Sequence, residues 1–162
     1  MSFSAAAQSS DPLANPTKPV VLIFVRISCP VSSRYAPAIQ ELAARYQGRA
    51  DFWLVYPDPA DDDKAITENL RQFGYKLPWI RDPRQTLAAK AHATITPEAV
   101  VYNASGREQY HGRIDNLYES FGRARRAATT HELDDALAAV VAGKSAPVRE
   151  TKAIGCYIAD LK

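Results

Sequence analysis

The alternation of apolar and polar residues divides the first third of the chain into a strand, a helix and a second strand. Residues 20–25 form an unbroken apolar run rich in Val, which is typical of a central strand buried on both faces. Apolar residues then recur at helical spacing over residues 30–46, and residues 51–56 form a second strand-like run. A strand, a helix and a second strand in this order predict a right-handed parallel unit.

The rest of the pattern predicts further helices and an antiparallel hairpin. Thr129 and Glu132 have the spacing of a capping box before the last clear helix. The expected elements are a helix opened by Asp61, Asp62 and Asp63, an extended piece at 77–80, a helix at 83–92, a hairpin formed by 99–102 and 108–111, a helix broken by Gly122 within 116–126, and a helix at 130–142.

Together these elements predict an α/β domain with a central mixed sheet flanked by helices. We expect residues 1–18 to be a flexible lead-in and residues 19–162 to form one domain. The net charge of +2 is too small to indicate nucleic-acid binding, and no apolar stretch approaches the ~20 residues that span a bilayer. The opening residues lack the pattern of a signal peptide, although Ala5-Ala6-Ala7-Gln8 resembles the end of a cleaved one. That favours an extracytoplasmic location without fixing the compartment.

Cys29 is the candidate nucleophile, because it lies between the first strand and the first helix. Pro30 suits the first position of a helix, where no backbone N–H is needed. The unpaired N–H groups and the dipole at a helix start favour a thiolate over a thiol. We therefore expect Cys29 to have a lowered pKa and to be redox-active.

Several stretches of the sequence resemble the thioredoxin-like superfamily, and in particular redoxin domains of the peroxiredoxin-like and TlpA-like kind. The resemblance implies an extra helix before a loop that carries a cis-proline. It extends over most of the chain, and its stretches are Ser28 to Pro37 around the cysteine, Phe73 to Pro83, Thr94 to Glu98 at the cis-proline loop, Gly112 to Asp115, Ala128 to Leu133, and Gly155-Cys156.

The resemblance also implies roles for individual residues. Cys29 is the nucleophile, Thr96 and Pro97 lie against it, and together with Pro30 and Ser32 they form the expected substrate-binding set. The expected partner is a protein or a small molecule that carries a thiol or a disulfide. No cofactor, metal or nucleic acid is expected, and the sequence leaves the oligomeric state open.

The active-site motif departs from the known patterns of the superfamily. Ser32 stands where the second cysteine of Cys-x-x-Cys is found, so a local dithiol cycle is excluded. Peroxiredoxins have Pro-x-x-x-Thr-x-x-Cys, and here Leu22 and Arg26 replace the proline and the threonine. A copper site of the Sco type is not intact either, because Ser33 replaces its second cysteine.

Cys156 is the second sulfur of the chain, and its role has two interpretations. Gly155 allows a close backbone approach, so Cys156 can return to the sheet edge and resolve Cys29 by thiol–disulfide exchange. The alternative is a small buried residue that anchors a terminal strand. Among the histidines only His111 is a functional candidate, and an ion pair between Arg113 and Asp115 is expected to be structural.

Three functions compete on this basis. The first is a thiol–disulfide oxidoreductase or isomerase in which Cys29 attacks and Cys156 is the possible resolving thiol. The second is a divergent peroxide reductase in which Cys29 becomes a sulfenic acid. The third is a thioredoxin-like binding module without catalysis. We favour the first. Thr96 and Pro97 match the loop that binds substrates in the superfamily, whereas Leu22 and Arg26 depart from the motif that binds peroxide.

Overall fold

The computed structural model describes residues 11–158 of the chain. Residues 1–10, which include Ala5-Ala6-Ala7-Gln8 and much of the predicted lead-in, lie outside this range, as do residues 159–162. Within it the elements are β1 (Val20–Phe24), α1 (Pro30–Arg45), β2 (Asp51–Tyr56), α2 (Asp63–Phe73), β3 (Trp79–Arg81), α3 (Thr86–Lys90), β4 (Ile95–Thr96), β5 (Glu98–Tyr102), β6 (Glu108–Gly112), β7 (Tyr118–Ser120), β8 (Arg123–Ala124), α4 (Glu132–Val141) and β9 (Cys156–Tyr157).

The central sheet has five strands in the order β3-β2-β1-β5-β6. β1, β2 and β3 are parallel, and β5 and β6 form the antiparallel side. β1 therefore lies in the middle, as its unbroken apolar run predicts, and all five of its residues are buried. The predicted fold class, a mixed sheet flanked by helices, is confirmed.

Alternate residues of β1 contribute to two cores, one on each face of the sheet. Val21 and Ile23 belong to the larger core, which contains Ile39 of α1, Ile66 of α2 and Leu137 of α4. On the opposite face Val20, Leu22 and Phe24 pack in a smaller core with Ala88 of α3. This two-sided burial makes the end of β1, where Cys29 follows, a well-supported part of the fold.

The prediction of a broken helix within residues 116–126 was wrong. This segment is a hairpin of β7 and β8, and Gly122 lies in its turn with a φ of +81°. Glycine adopts this left-handed conformation without the steric cost that other residues carry, so Gly122 permits a tight turn instead of interrupting a helix.

The helix predicted at 83–92 is shorter in the structure, because Asp82 fixes a later start. Its carboxylate accepts hydrogen bonds from the backbone N–H groups of Leu87 at 3.0 Å and Ala88 at 2.8 Å. Gln85 has a left-handed φ of +57°, which no helix interior tolerates, so α3 begins only at Thr86.

Two predicted side-chain pairs around α4 are also wrong. Thr129 does not cap the helix, because its hydroxyl accepts a hydrogen bond from Asn116 Nδ2 at 2.7 Å and His131 is the N-cap residue. Arg113 pairs with Glu132 instead of Asp115. Both differences arise from tertiary contacts that local spacing does not reveal.

Within residues 11–158, no helix combines the length and the apolar character needed to cross a membrane.

Candidate active site

Cys29 occupies the junction between the central strand and the first helix. It is the N-cap residue of α1, with extended backbone angles, and Pro30 follows at the start of the helix. Its carbonyl accepts the hydrogen bond from Ser33 N at 3.1 Å. The side chain of Cys29 is completely buried, at 0% relative exposure. The predicted position at a helix start is therefore the one that the chain adopts.

Two groups from distant parts of the chain contact the sulfur of Cys29. The thiol of Cys156 lies with its Sγ 2.7 Å from Cys29 Sγ, and Cys29 Sγ donates a hydrogen bond to the carbonyl oxygen of Thr96 at 3.3 Å. Both cysteines are free thiols. A disulfide has an S–S distance of about 2.05 Å, so only a small movement separates this arrangement from a bond.

Cys156 reaches Cys29 because the end of the chain pairs with the cis-proline loop. We call residues 149–158 the tail segment. Its strand β9 pairs antiparallel with β4, so that Cys156 lies opposite Thr96, and Ile158 N donates to Thr94 O at 2.8 Å. The peptide bond between Thr96 and Pro97 is cis. The carbonyl of Thr96 in this loop therefore contacts Cys29, and the free edge of β4 is occupied by β9 of the tail segment.

Gly155 allows this close approach. A Cβ atom at this position would overlap the carbonyl oxygen of Thr96 and lie 2.8 Å from its carbonyl carbon. No side chain fits between the two backbones, because the atoms that it would meet belong to the main chain and cannot turn away. Glycine is therefore a steric requirement for β9 to pair with β4.

The surroundings of the two sulfurs separate their pKa values in opposite directions. Burial raises the pKa of the Cys29 thiol, but hydrogen bonds from Cys156, from Ser32 and from Thr96 outweigh it, so the pKa is lowered. The pKa of Cys156 is raised by burial and by the adjacent Cys29. In the reduced protein Cys29 is therefore the sulfur that ionises first.

Buried acidic side chains hold the loop between β1 and α1. Arg26 Nε donates to Asp58 Oδ2 at 2.9 Å, and Ile27 N donates to Asp61 Oδ2 at 3.1 Å. Arg26 N also donates to the hydroxyl of Ser32 at 3.3 Å. Burial raises the pKa of Asp61, and the like charge of Asp58 adds to this effect. These contacts fix the residues that precede Cys29.

His111 and Glu98 connect the cis-proline loop with the tail segment. His111 Nε2 lies 2.6 Å from Glu98 Oε1, and the same oxygen accepts from Thr94 N at 3.1 Å. The backbone of His111 pairs with the tail segment, donating to Arg149 O at 3.0 Å and accepting from Thr151 N at 3.1 Å. The hydrogen bond to Glu98 raises the pKa of His111. Sequence analysis missed Glu98, whose only signal is a carboxylate in an apolar strand.

The predicted substrate-binding residues all surround Cys29, but they differ in accessibility. Pro30 is exposed, whereas Ser32, Thr96 and Pro97 are buried. Ser32 directs its hydroxyl toward the backbone of Arg26 rather than outward. Among residues 11–158, no group of three or more His, Cys, Asp or Glu side chains is arranged to hold a metal ion.

A groove of about 420 Å³ opens beside the two sulfurs. Cys156 lines it together with Arg26, Lys152 and two aromatic residues, Phe121 of the β7–β8 hairpin and Tyr157 of β9. Phe121 and Tyr157 are 62% and 56% exposed, which is unusual for large apolar side chains. The groove therefore presents Cys156, exposed aromatic surface and positive charge on one side of the site.

Comparison with known proteins gives structural neighbours only. No protein-family model matches the chain, and no curated protein matches its sequence. The crystal structure of an uncharacterized conserved protein from Geobacillus kaustophilus is similar, with a TM-score of 0.79, 21% identity and coverage of 89% of this chain and 78% of that one. A hypothetical protein from Sinorhizobium meliloti 1021 has a TM-score of 0.78 at 23% identity, with coverage of 89% and 80%.

A third neighbour has a stated activity. It is a secreted Mycobacterium tuberculosis disulfide oxidoreductase homologous to Escherichia coli DsbE, with a TM-score of 0.58 and 21% identity over 83% of this chain and 87% of that chain. At such identities the similarity establishes the fold. With its central mixed sheet and the cysteine at the start of the first helix, the chain has a thioredoxin-like fold.

Proposed function

We propose that this protein is a thiol–disulfide oxidoreductase whose redox pair is Cys29 and Cys156. The observation that carries the proposal is the distance of 2.7 Å between the two Sγ atoms, which are separated by 127 residues in the sequence. Buried thiols rarely need such a neighbour for packing alone, since cysteine otherwise behaves as a small apolar side chain. The pair takes the place of the Cys-x-x-Cys motif that Ser32 makes impossible.

The differing pKa values of the two thiols support an order of events for reduction of a substrate disulfide. Cys29, with the lowered pKa, attacks one substrate sulfur and releases the other as a thiolate. Cys156 then loses its proton and attacks Cys29 Sγ, which releases the second substrate sulfur and leaves a Cys29–Cys156 disulfide. Two electrons pass from the protein dithiol to the substrate, and an external dithiol restores the protein.

The substrate chain in this reduction is proposed to use the cis-proline loop. Thr96 and Pro97 supply the strand edge, while Pro30 and Ser32 support the loop around the nucleophile. Because β9 occupies that edge, a substrate disulfide reaches Cys29 only when the tail segment withdraws. Withdrawal of β9 breaks its pairing with the two residues of β4 and takes Ile158 out of the smaller core, while Arg149 and Thr151 can stay paired with His111.

The structural neighbours support the general activity. The Mycobacterium tuberculosis neighbour is a disulfide oxidoreductase, and a further one is a thiol-disulfide isomerase from Corynebacterium glutamicum, with a TM-score of 0.55 and 18% identity over 66% of this chain and 77% of that chain. The same fold therefore hosts disulfide chemistry in these neighbours. The assignment of the two sulfurs to this chemistry comes from the contacts of the present chain.

The proposal is tested by following disulfide formation and turnover in the same samples. The protein is incubated with oxidised glutathione, and intact mass spectrometry measures the loss of two hydrogens. Reduction of a fluorogenic peptide disulfide, with dithiothreitol as the external reductant, measures turnover. We expect wild type to form the Cys29–Cys156 disulfide and to turn over, Cys29→Ser to fall to the uncatalysed background, and Cys156→Ser to accumulate a mixed disulfide on Cys29.

Two results would contradict the proposal. One is a wild-type protein that remains a dithiol in the presence of oxidised glutathione while its circular dichroism shows it to be folded. The other is turnover of the peptide disulfide that Cys29→Ser leaves unchanged. Rapid consumption of hydrogen peroxide by a protein that does not reduce the peptide disulfide would assign it to the peroxide-reducing alternative instead.

A further inference from the structure

The two sulfurs of the site differ completely in their access to solvent. Cys29 is fully buried, covered by the tail segment on one side and by the cis-proline loop on the other. Cys156 is partly exposed and lines the groove beside Phe121 and Tyr157. Once a bond joins the two sulfurs, an external thiol can approach the disulfide only from the side of Cys156.

We propose that an incoming thiol attacks Cys156 in the oxidised protein, so that Cys156 is the entry sulfur and Cys29 is the leaving group. This inference rests on the proposed function and concerns its oxidised form. It reverses the roles that the two sulfurs have during reduction of a substrate, when Cys29 is the attacking atom. The tail segment then stays paired with β4 while the protein is being reduced.

The step balances as an ordinary thiol–disulfide exchange. A thiolate R–S⁻ attacks Cys156 Sγ, a bond forms between these sulfurs, and the Cys29–Cys156 bond breaks with its electron pair going to Cys29. A second thiolate from the same partner then attacks the R sulfur and releases Cys156, which takes up a proton. The partner dithiol loses two electrons and becomes a disulfide, and the protein gains them as a dithiol.

The environment of Cys29 supports its departure as a thiolate. A sulfur with a lower pKa leaves faster in thiol–disulfide exchange. Burial raises the pKa of Cys29. Hydrogen bonds from Ser32 and from the side chain of Thr96 lower the pKa of Cys29, and unlike the one from the Cys156 thiol they do not depend on a free Cys156. Cys156 has a raised pKa and would be the poorer leaving group. Access and leaving-group quality therefore favour the same direction of attack.

The experiment identifies which cysteine carries the first adduct. Wild-type protein, oxidised to the Cys29–Cys156 disulfide, is mixed with excess 2-mercaptoethanesulfonate and quenched within seconds in mildly acidic denaturant that contains excess N-ethylmaleimide. The denaturant exposes the buried Cys29, and the maleimide removes the released thiol and so prevents reversal. Peptide mapping by mass spectrometry then locates the mercaptoethanesulfonate and the maleimide.

We expect mercaptoethanesulfonate on Cys156 and maleimide on Cys29, in at least about tenfold excess over the opposite labelling. Labelling in the opposite order, or in equal amounts, overturns the inference and leaves the redox pair intact. Failure of the disulfide to form, or to be opened by any thiol, overturns the proposed function as well. The protein is used without substitutions, so misfolding of a variant cannot produce these outcomes.

Discussion

The two sulfurs of the active site are held by very different parts of the molecule. Cys29 follows the central strand and begins a helix of 16 residues, whose Ile39 packs in the larger core. Cys156 belongs to a two-residue strand that pairs with β4 at the margin of the molecule and is followed by Ile158 in the smaller core. Cys29 is thus part of the central framework, whereas Cys156 is held beside it by a short pairing outside the central sheet.

This difference indicates that the stability of the fold and the formation of the Cys29–Cys156 disulfide can be changed separately. Loss of core packing affects the whole framework, because it removes burial that many residues share. Loss of the pairing between β9 and β4 leaves the buried residues of the larger core in place and moves only one of the two sulfurs. Regions with few buried contacts open at low free energy, while core elements open only with global unfolding.

The largest expected effect on stability comes from the framework. Ile39→Ala removes a fully buried side chain from the larger core, and we expect the free energy of unfolding to fall by about 2–5 kcal/mol. Urea denaturation of the reduced protein measures it, with Ile39→Val as the milder companion. The fraction of Cys29–Cys156 disulfide formed by the folded protein should stay near that of wild type. If Ile39→Ala lost the disulfide while its free energy of unfolding stayed unchanged, the contrast between framework and tail segment would be wrong.

A change in the tail segment should have the opposite profile. In Gly155→Ala the added methyl group overlaps the Thr96 carbonyl, so β9 cannot keep its pairing with β4 and separates locally from it. We expect disulfide formation with oxidised glutathione to slow at least about fivefold, with little change in the urea midpoint. Val148→Ala, at an exposed position just before the tail segment, is the matched control and should behave as wild type.

The free energy of unfolding should depend on pH through His111, which connects the cis-proline loop with the tail segment. Its pKa is raised by Glu98, with burial acting against this and Glu108 and Glu150 adding to it. The protonated form therefore contributes stability that is present below the ordinary pKa of about 6.5 and is lost as the pH rises through the folded value. Urea unfolding of wild type should show this loss as the pH rises above the ordinary pKa of His111, and His111→Gln should flatten it. A loss of the same size in His111→Gln would assign it to other groups.

The smallest expected effect concerns the charge of the groove. Lys152 and Arg26 line it, and the described lining includes no acidic side chain. We expect Lys152→Gln to slow reduction of the oxidised protein by the anionic thiol 2-mercaptoethanesulfonate about two- to threefold, and to make the rate less sensitive to salt. Lys144→Gln, the same change outside the groove, is the control. Equal slowing with cationic cysteamine would exclude an electrostatic cause.

The sequence predicts the framework far better than the tail. Cys29 could be placed because an apolar strand, a helix start and Pro30 all lie within a few neighbouring positions, where local patterns are informative. The cis peptide at Pro97 was expected from resemblance. The 2.7 Å contact of Cys156 was one of two interpretations, because pairing across 127 residues depends on tertiary structure.

The errors have the same origin. The sequence around Gly122 is compatible with a helix and with a hairpin. Its contacts with the rest of the fold decide for the hairpin of β7 and β8. The roles of Glu98 and His111 also depend on strands that are adjacent in space. Local propensity carries no information about such neighbours, so the groove beside Cys156 could not be derived from the sequence.

The glycine that lets the tail approach Thr96 has a consequence for which partners the protein can serve. Since β9 is covalently tethered beside β4, it competes for that edge at an effective concentration that for short tethers is of millimolar order. If partners bind this edge as proposed, a peptide that binds it weakly is outcompeted by the protein's own chain. Only partners that bind more tightly than β9 would then reach Cys29, and Gly155 is the residue that allows β9 to compete.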